Sequence, residues 1–543
     1  MKKKITKKIL PIALASLVSV ACFSGCGGGQ GSVPDTEETL EIYMLDAGYK
    51  TDWLQPALDL FKEQDWVKDK YPNLVVSSPV INDVVTFAES KLEAGTSGNT
   101  FDLIFMGHLP YGLKGSGSGS KGAQLTDLTE SVYEAMVPGE DVKFIDKMYA
   151  SFVESVRYNN PSDSAANGRF YSIPWAGGME SFTYNETILN SLGIEVPRTT
   201  DELAAACAYI KSLEGNTEGK YDKGYSFIQS KDAKYWDDFF GVWWAQYNGI
   251  DGYYDFYNGI DGNRYSKNIF KQKGILKSIE VYENLLDYQK GWLTPSSHTY
   301  EFMEAQTLYL QGNGVFHVNG DWFPSEMALI QSQIPESQRQ TIKMMPMPIV
   351  SDIIELTPTI NDDITLSAVV KAIDEGKSSY GTVSQADFDK IKEARSIAYS
   401  IGPRHEALVP SYANGKNVAI DFLRFLATDM VQDIYLEKTL GANLPFYYDV
   451  EVKNATLFNS LDPLHQERLR YFNSTTNPIN VLPNSKAFPL NMYGGVEPTV
   501  NHDYYIDLSL NNRTRTAQSY IDETIEAWTD EKWADALMKA GLN

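Results

Sequence analysis

Several stretches of this 543-residue chain carry residue types that do chemistry, and each departs from its pattern. "DEGKSS" (374–379) has the lysine and hydroxyls of a phosphate-binding loop, but Lys371 stands where such a loop needs its first glycine. "HEALV" (405–409) opens like a zinc-protease helix, yet Val409 occupies the place of the second histidine. The six histidines, at 108, 298, 317, 405, 465 and 502, form no i, i+4 pair, so no dedicated metal site is expected. There is no G-x-S-x-G nucleophile turn. "YNGIDG" occurs at 247–252 and 257–262 and invites a calcium-loop reading through Asp251, Asp255 and Asp261. The spacing does not fit such a loop. Asn-Gly and Asp-Gly are turn formers, so two turns flanking a hairpin are expected. No catalytic residue, cofactor or metal follows from these motifs.

The cysteines point elsewhere. Two of the three, Cys22 and Cys26, lie just behind a charged and then apolar start. Lys2, Lys3, Lys4, Lys7 and Lys8 precede an apolar run from Ile9 to Phe23, shorter than the roughly 20 residues of a membrane span. That order describes an export signal, which is removed in the mature protein and set aside from the fold. Phe23-Ser24-Gly25-Cys26 resembles the lipobox of bacterial lipoproteins, whose cysteine is acylated and becomes the first residue; Phe23 departs from its usual leucine. The resemblance implies a signal peptide over 1–25, lipidation of Cys26, and placement at the extracellular face of a bacterial cell membrane. Residues 26–38, rich in glycine at the start, read as a flexible tether. The alternative is ordinary secretion with Cys26 as a free thiol, a liability outside the cell.

In the body, only Cys207 remains, in "DELAAACAYI", as a small buried helix residue. A disulfide framework and a cysteine metal site are therefore excluded. The net charge of −24 becomes −29 without the five lysines of the signal segment, which contains no acid. Such a surface repels nucleic acid and anionic headgroups. At 12% aromatic content the chain has ample material for large cores, and its length suggests two or more globular units.

The elements that must carry any site alternate. "TLEIYML" (39–45) reads as a strand, and "DWLQPALDLFKEQ" (52–64) as a helix with Leu54, Ala57, Leu58 and Phe61 on one face. "YPNLVVSSPV" is a second strand, "INDVVTFAESKLEAG" a second helix and "FDLIFMG" (101–107) a third strand. This succession predicts an α/β layer with parallel pairing. "GRFYSIP" is read as a further strand, "TTDELAAACAYIKSL" as a helix capped by Thr199 or Thr200, and 418–441 as one more helical segment.

The block "GRFYSIPWAGGMESFTYNETILNSLGIEVPRTTDELAAACAYIK" (168–211) resembles the G-x-Y-x-x-P … Y-N … G-x-x-x-P-x-T-x-x-E-L pattern of the family 1 extracellular solute-binding proteins. "QLTDLTE", "GVFHVNGDW", "MMPMPI", "AIDFLRFLATD" and "LGANLPFY" resemble other segments of that family at the same relative places. The resemblance implies a two-lobed α/β periplasmic-binding-protein-like fold of type II, with a ligand cleft between the lobes and three hinge crossings. The crossings are expected near Tyr171–Thr183, Thr357–Ala368 and Leu444–Tyr448. Lobe 1 would comprise 39–175 and 361–445, and lobe 2 would comprise 176–360 and 446–543. It also implies a carbohydrate ligand and the permease subunits of an ABC transporter as partners, with no catalysis. A lipid-anchored glycan hydrolase, a surface polysaccharide-binding protein, and a receptor of the same fold for a non-sugar ligand are the alternatives.

A sugar site needs flat aromatic surfaces and planar polar groups. The family comparison nominates Trp322 as a stacking platform, its alternative being a core tryptophan. Asp321 either accepts hydroxyls or caps the next helix. Asp46 and Tyr49 follow the first strand, where the alternative is a solvated turn. His108 follows the third strand; Met106 and Leu109 there depart from the maltodextrin-binding pattern, against a simple transfer of maltose specificity. Trp175 and Glu180 belong to the first crossing. Trp243 and Trp244 point about 100° apart on a helix, so at most one lines the site, and Trp243 is nominated. Tyr493, in "LNMYGG", completes the set.

Overall fold

The computed structural model describes residues 36–542 apart from 83–91, 93, 108–113, 116–122, 161–162, 217–220, 232–233, 401, 403–404, 462, 475–476, 480–487, 498–507 and 509–514. The segment expected to be an export signal, Cys26 and His108 lie outside the described residues, as does most of the helix expected over 81–95.

Among the described residues, ten strands build two mixed sheets: β1 (Ile42–Leu45), β2 (Val80–Asn82), β3 (Leu103–Met106), β4 (Ile173–Pro174), β5 (Met179–Asn185), β6 (Phe316–Gly320), β7 (Ile342–Met344), β8 (Ile397–Ser400), β9 (Glu406–Leu408) and β10 (Asn477–Ile479). The first sheet runs β2-β1-β3-β9-β4, with β1 parallel to both neighbours as the strand–helix alternation predicts. The second runs β6-β5-β8-β10, and β7 also pairs with β5. Each sheet organises its own apolar core. Helix Leu54–Glu63 buries the four residues of its predicted stripe against the first. Helix Thr200–Ser212 is capped by Thr199, whose hydroxyl accepts the Glu202 N–H at 3.1 Å. Cys207 is buried in that helix, where burial pushes its thiol up to about 12 and leaves it inert.

The chain passes from the first sheet to the second between β4 and β5, within the expected first crossing. Its return lies elsewhere than expected. Strand β8 pairs with β5 at Tyr399–Glu180, and β9 pairs with β3 at Glu406–Met106, so the second passage falls between Ser400 and Glu406. Residues 357–368 and the following helices stay with the second core, which corrects both the second crossing and the lobe boundary placed at 360. The third passage also runs later. Tyr447 N–H still donates to Lys147 O at 2.8 Å in the first lobe, and helix Pro463–Ser474 completes the route to β10.

The two "YNGIDG" copies differ. The second leads into a hairpin, Ile260–Asp261 against Arg264–Tyr265. The first lies inside helix Lys234–Asn258, where Gly249 breaks the helical path with φ 79°. Trp244 and Tyr253 pack at 4.7 Å across that break, so core packing overrides the turn signal.

Candidate functional site

The turn after β1 aims one ring into the junction between the lobes. Asp46 N–H donates to Asn82 O at 3.1 Å, and the Asp46 carboxylate accepts the Gly48 N–H at 3.3 Å. Gly48 (φ 85°) and Lys50 (φ 62°) both lie in the left-handed region, which turns Tyr49 inward between them. Tyr49 is fully buried and donates its hydroxyl to Asp321 Oδ1 at 3.1 Å, joining the first lobe to the second. Burial, then the Asp321 charge, pushes the Tyr49 phenol far above its ordinary pKa, so it stays a donor.

Asp321 and Trp322 directly follow β6. Trp322 occupies the N-cap of helix Phe323–Gln333, and no side chain caps that helix. Asp321 therefore does not cap; it turns to Tyr49 instead. Burial pushes its carboxyl up to about 6, against the pull of Arg468, the Tyr49 hydroxyl and the backbone N–H groups of Met179 and Asp321. Trp322 is 4% exposed, with its ring edge-on to Tyr49 at 6.1 Å. That ring lies over Gly320: a Cβ there would come within 2.1 Å of it, so only glycine fits.

Trp175 enters from the first crossing. Its indole N–H donates to Met106 O at 3.0 Å, and its ring lies 6.0 Å from Tyr49 and 5.3 Å from His405. Glu180, buried on β5 opposite Gly320 and Tyr399, adds negative potential at Tyr49. Asp46 itself is exposed at the rim. Behind the turn, Glu326 accepts from Gln306 at 3.0 Å, and burial and the Asp46 charge push it up to about 7 despite that bond.

Five nominated residues thus meet: Tyr49, Trp175, Glu180, Asp321 and Trp322, with Asp46 on the turn that carries Tyr49. Trp243 does not join them. It is fully buried in the second core, donates its N–H to Pro348 O at 3.1 Å and packs on Phe239 and Tyr282, so a cleft-facing Trp243 is not found. Tyr493 is half-buried on the short helix Pro489–Gly494, which packs against helix Asp530–Ala540. Sequence reasoning missed His405, edge-on to Tyr49 at 5.4 Å, because it sits in the failed zinc motif. It also missed Arg468, a buried cation whose guanidinium donates to Asp321 O. Among the described residues no group of His, Cys, Asp or Glu is arranged to hold a metal, and no helix is long and apolar enough to cross a membrane. A cavity of about 890 Å³ on the second lobe, lined by Tyr184, Arg198, Lys392, Glu467 and Arg470 among others, includes none of the nominated residues.

No family model and no curated relative matches the chain in sequence. Solved structures match along nearly its whole length. One is a maltose-bound MalE3 of T. maritima, 15% identical, covering 90% of this chain and 98% of its own, with TM-score 0.54. Another is the sugar-binding protein MalE of the phytopathogen Xanthomonas citri, 14% identical, covering 91% and 97%, with TM-score 0.54. A third is a chitin oligosaccharide binding protein, 14% identical, covering 92% and 98%, with TM-score 0.51. The chain therefore has the two-lobed α/β fold of periplasmic-binding-protein-like proteins.

Proposed function

We propose that this protein is a family 1 solute-binding receptor that captures a neutral oligosaccharide between its lobes and hands it to an ABC transporter permease. The observation that carries this reading is the junction itself. Around Tyr49, the rings of Trp322 and Trp175 lie with the carboxylates of Asp321 and Glu180. Such a set offers stacking faces and bidentate acceptors to a hydroxylated ring. The solved structures of like fold are binding proteins for sugars, which supports a receptor over an enzyme. The acidic surface favours neutral over anionic sugars. Membrane attachment through Cys26 belongs to the same proposal and rests on the lipobox-like segment.

Incubation with maltotriose, xylotriose and chitotriose tests it. A rise in unfolding temperature without release of reducing ends is expected. New reducing ends would make the protein a glycan hydrolase, and no shift with any of the three would remove these sugars as ligands.

A further inference from the structure

Tyr49 is the common contact of the junction, and it is itself a flat ring with a hydroxyl. Trp175, Trp322 and His405 surround it edge-on at 6.0, 6.1 and 5.4 Å, and its hydroxyl enters the Asp321 carboxylate. A sugar ring presents the same features: an apolar face, C–H edges and a hydroxyl donor. We propose that Tyr49 is a gate, whose ring holds the place a sugar ring takes on binding and must swing out to admit it. This inference rests on the receptor reading above.

Two further observations support a movable ring. The turn 46–50 is exposed or half-buried except at Tyr49, and one of its two left-handed positions is Lys50, not glycine. A lysine in that region is strained, so the turn keeps its shape through the contacts that the Tyr49 ring makes and relaxes when the ring leaves. The surroundings also hold more hydrogen-bonding capacity than one phenol uses. Asp321 Oδ2, the Tyr435 hydroxyl and the Trp53 indole N–H are buried, and none has a hydrogen-bond partner among the described residues. Tyr435 stacks edge-on with Trp53 at 5.1 Å and feels the Asp321 charge, so these groups lie together. A ligand with several hydroxyls satisfies donors and acceptors that Tyr49 leaves unmet.

Calorimetric titration of the wild type, Tyr49→Phe and Tyr49→Ala with maltotriose, xylotriose and chitotriose tests the gate. Tyr49→Phe keeps the ring and removes the bond to Asp321, so the best-bound sugar should bind about threefold to tenfold tighter. Tyr49→Ala should bind at least as tightly as wild type. Binding by Tyr49→Ala weakened tenfold or more would make Tyr49 a ligand platform and overturn the gate. Unchanged affinity in both variants would overturn it as well. Should Tyr49→Ala fail to fold, the near-isosteric Tyr49→Phe decides alone. If none of the sugars binds any form, the receptor reading fails for them, and the gate is decided by fluorine NMR of 3-fluorotyrosine protein. A Tyr49 resonance, assigned by its loss in Tyr49→Phe, that exchanges with a solvent-exposed signal supports the gate; a single buried resonance with no exchange overturns it.

Discussion

Protonation of Asp321 gives the most direct measure of how the junction is built. Burial raises its carboxyl from the ordinary 3.8 to about 6. At about 1.4 kcal/mol per unit, the ionised side chain costs about 3 kcal/mol in the folded protein relative to the unfolded chain. Below pH 3.8 the group is protonated in both states and contributes nothing. Between 3.8 and about 6 only the unfolded chain releases the proton, so stability falls as pH rises; above about 6 the full cost stands. Asp321→Asn keeps the shape and an acceptor for Tyr49 but does not titrate. Urea unfolding of wild type and variant from pH 4 to pH 8 isolates the group from other titrations. The wild type should lose about 2.4 kcal/mol relative to the variant between pH 4 and pH 7, the rest of the roughly 3 kcal/mol having been lost below pH 4. A difference that stays flat, or that favours the wild type as pH rises, would show that Arg468 outweighs burial and refute the reasoning.

Three further outcomes are expected. Gly320→Ala places a methyl within 2.1 Å of the Trp322 ring and should cost roughly 1–3 kcal/mol in thermal unfolding, because the ring or the strand must shift. Trp243→Phe removes the bond to Pro348 O and should lower stability by about 1–3 kcal/mol while leaving sugar affinity unchanged in calorimetry, since Trp243 belongs to the second core. Cys26→Ser should move the protein from the membrane fraction to the soluble fraction; retention on membranes after a salt wash would reject the lipid anchor.

Local pattern made much of the frame legible. The stripe of helix Leu54–Glu63, the Thr199 cap and the parallel pairing around β1 depend on residues close in sequence. The second passage between the sheets depends instead on Tyr399 meeting Glu180, more than two hundred positions away, and no local signal marks it. The tryptophans divide the same way. Trp322 and Trp243 look alike as residue types, and only tertiary packing sends one to the junction and the other into the second core. Arg468 sits in "HQERLRYF", a charged stretch that reads as a solvated helix face, yet it is buried against the Asp321 carbonyl. His405 was hidden by being judged as a metal ligand, when its place beside Trp175 and Tyr49 is what matters.

The junction balances two opposed terms. Edge-to-face contacts of Tyr49 with Trp175 and Trp322 favour contact between the lobes. Burial of Glu180, Asp321 and Glu326 opposes it, because Arg468 and a few hydrogen bonds offset only part of the lost hydration. A ligand shifts such a balance only through contacts it gains in one arrangement. On the receptor reading, those contacts are the carboxylate and hydroxyl groups around Asp321 and Tyr435 that Tyr49 leaves unmet. A junction of aromatic contacts alone would close without ligand, and one of charges alone would stay open. On the same reading, the mixture found here would let a hydroxylated ring decide which arrangement prevails.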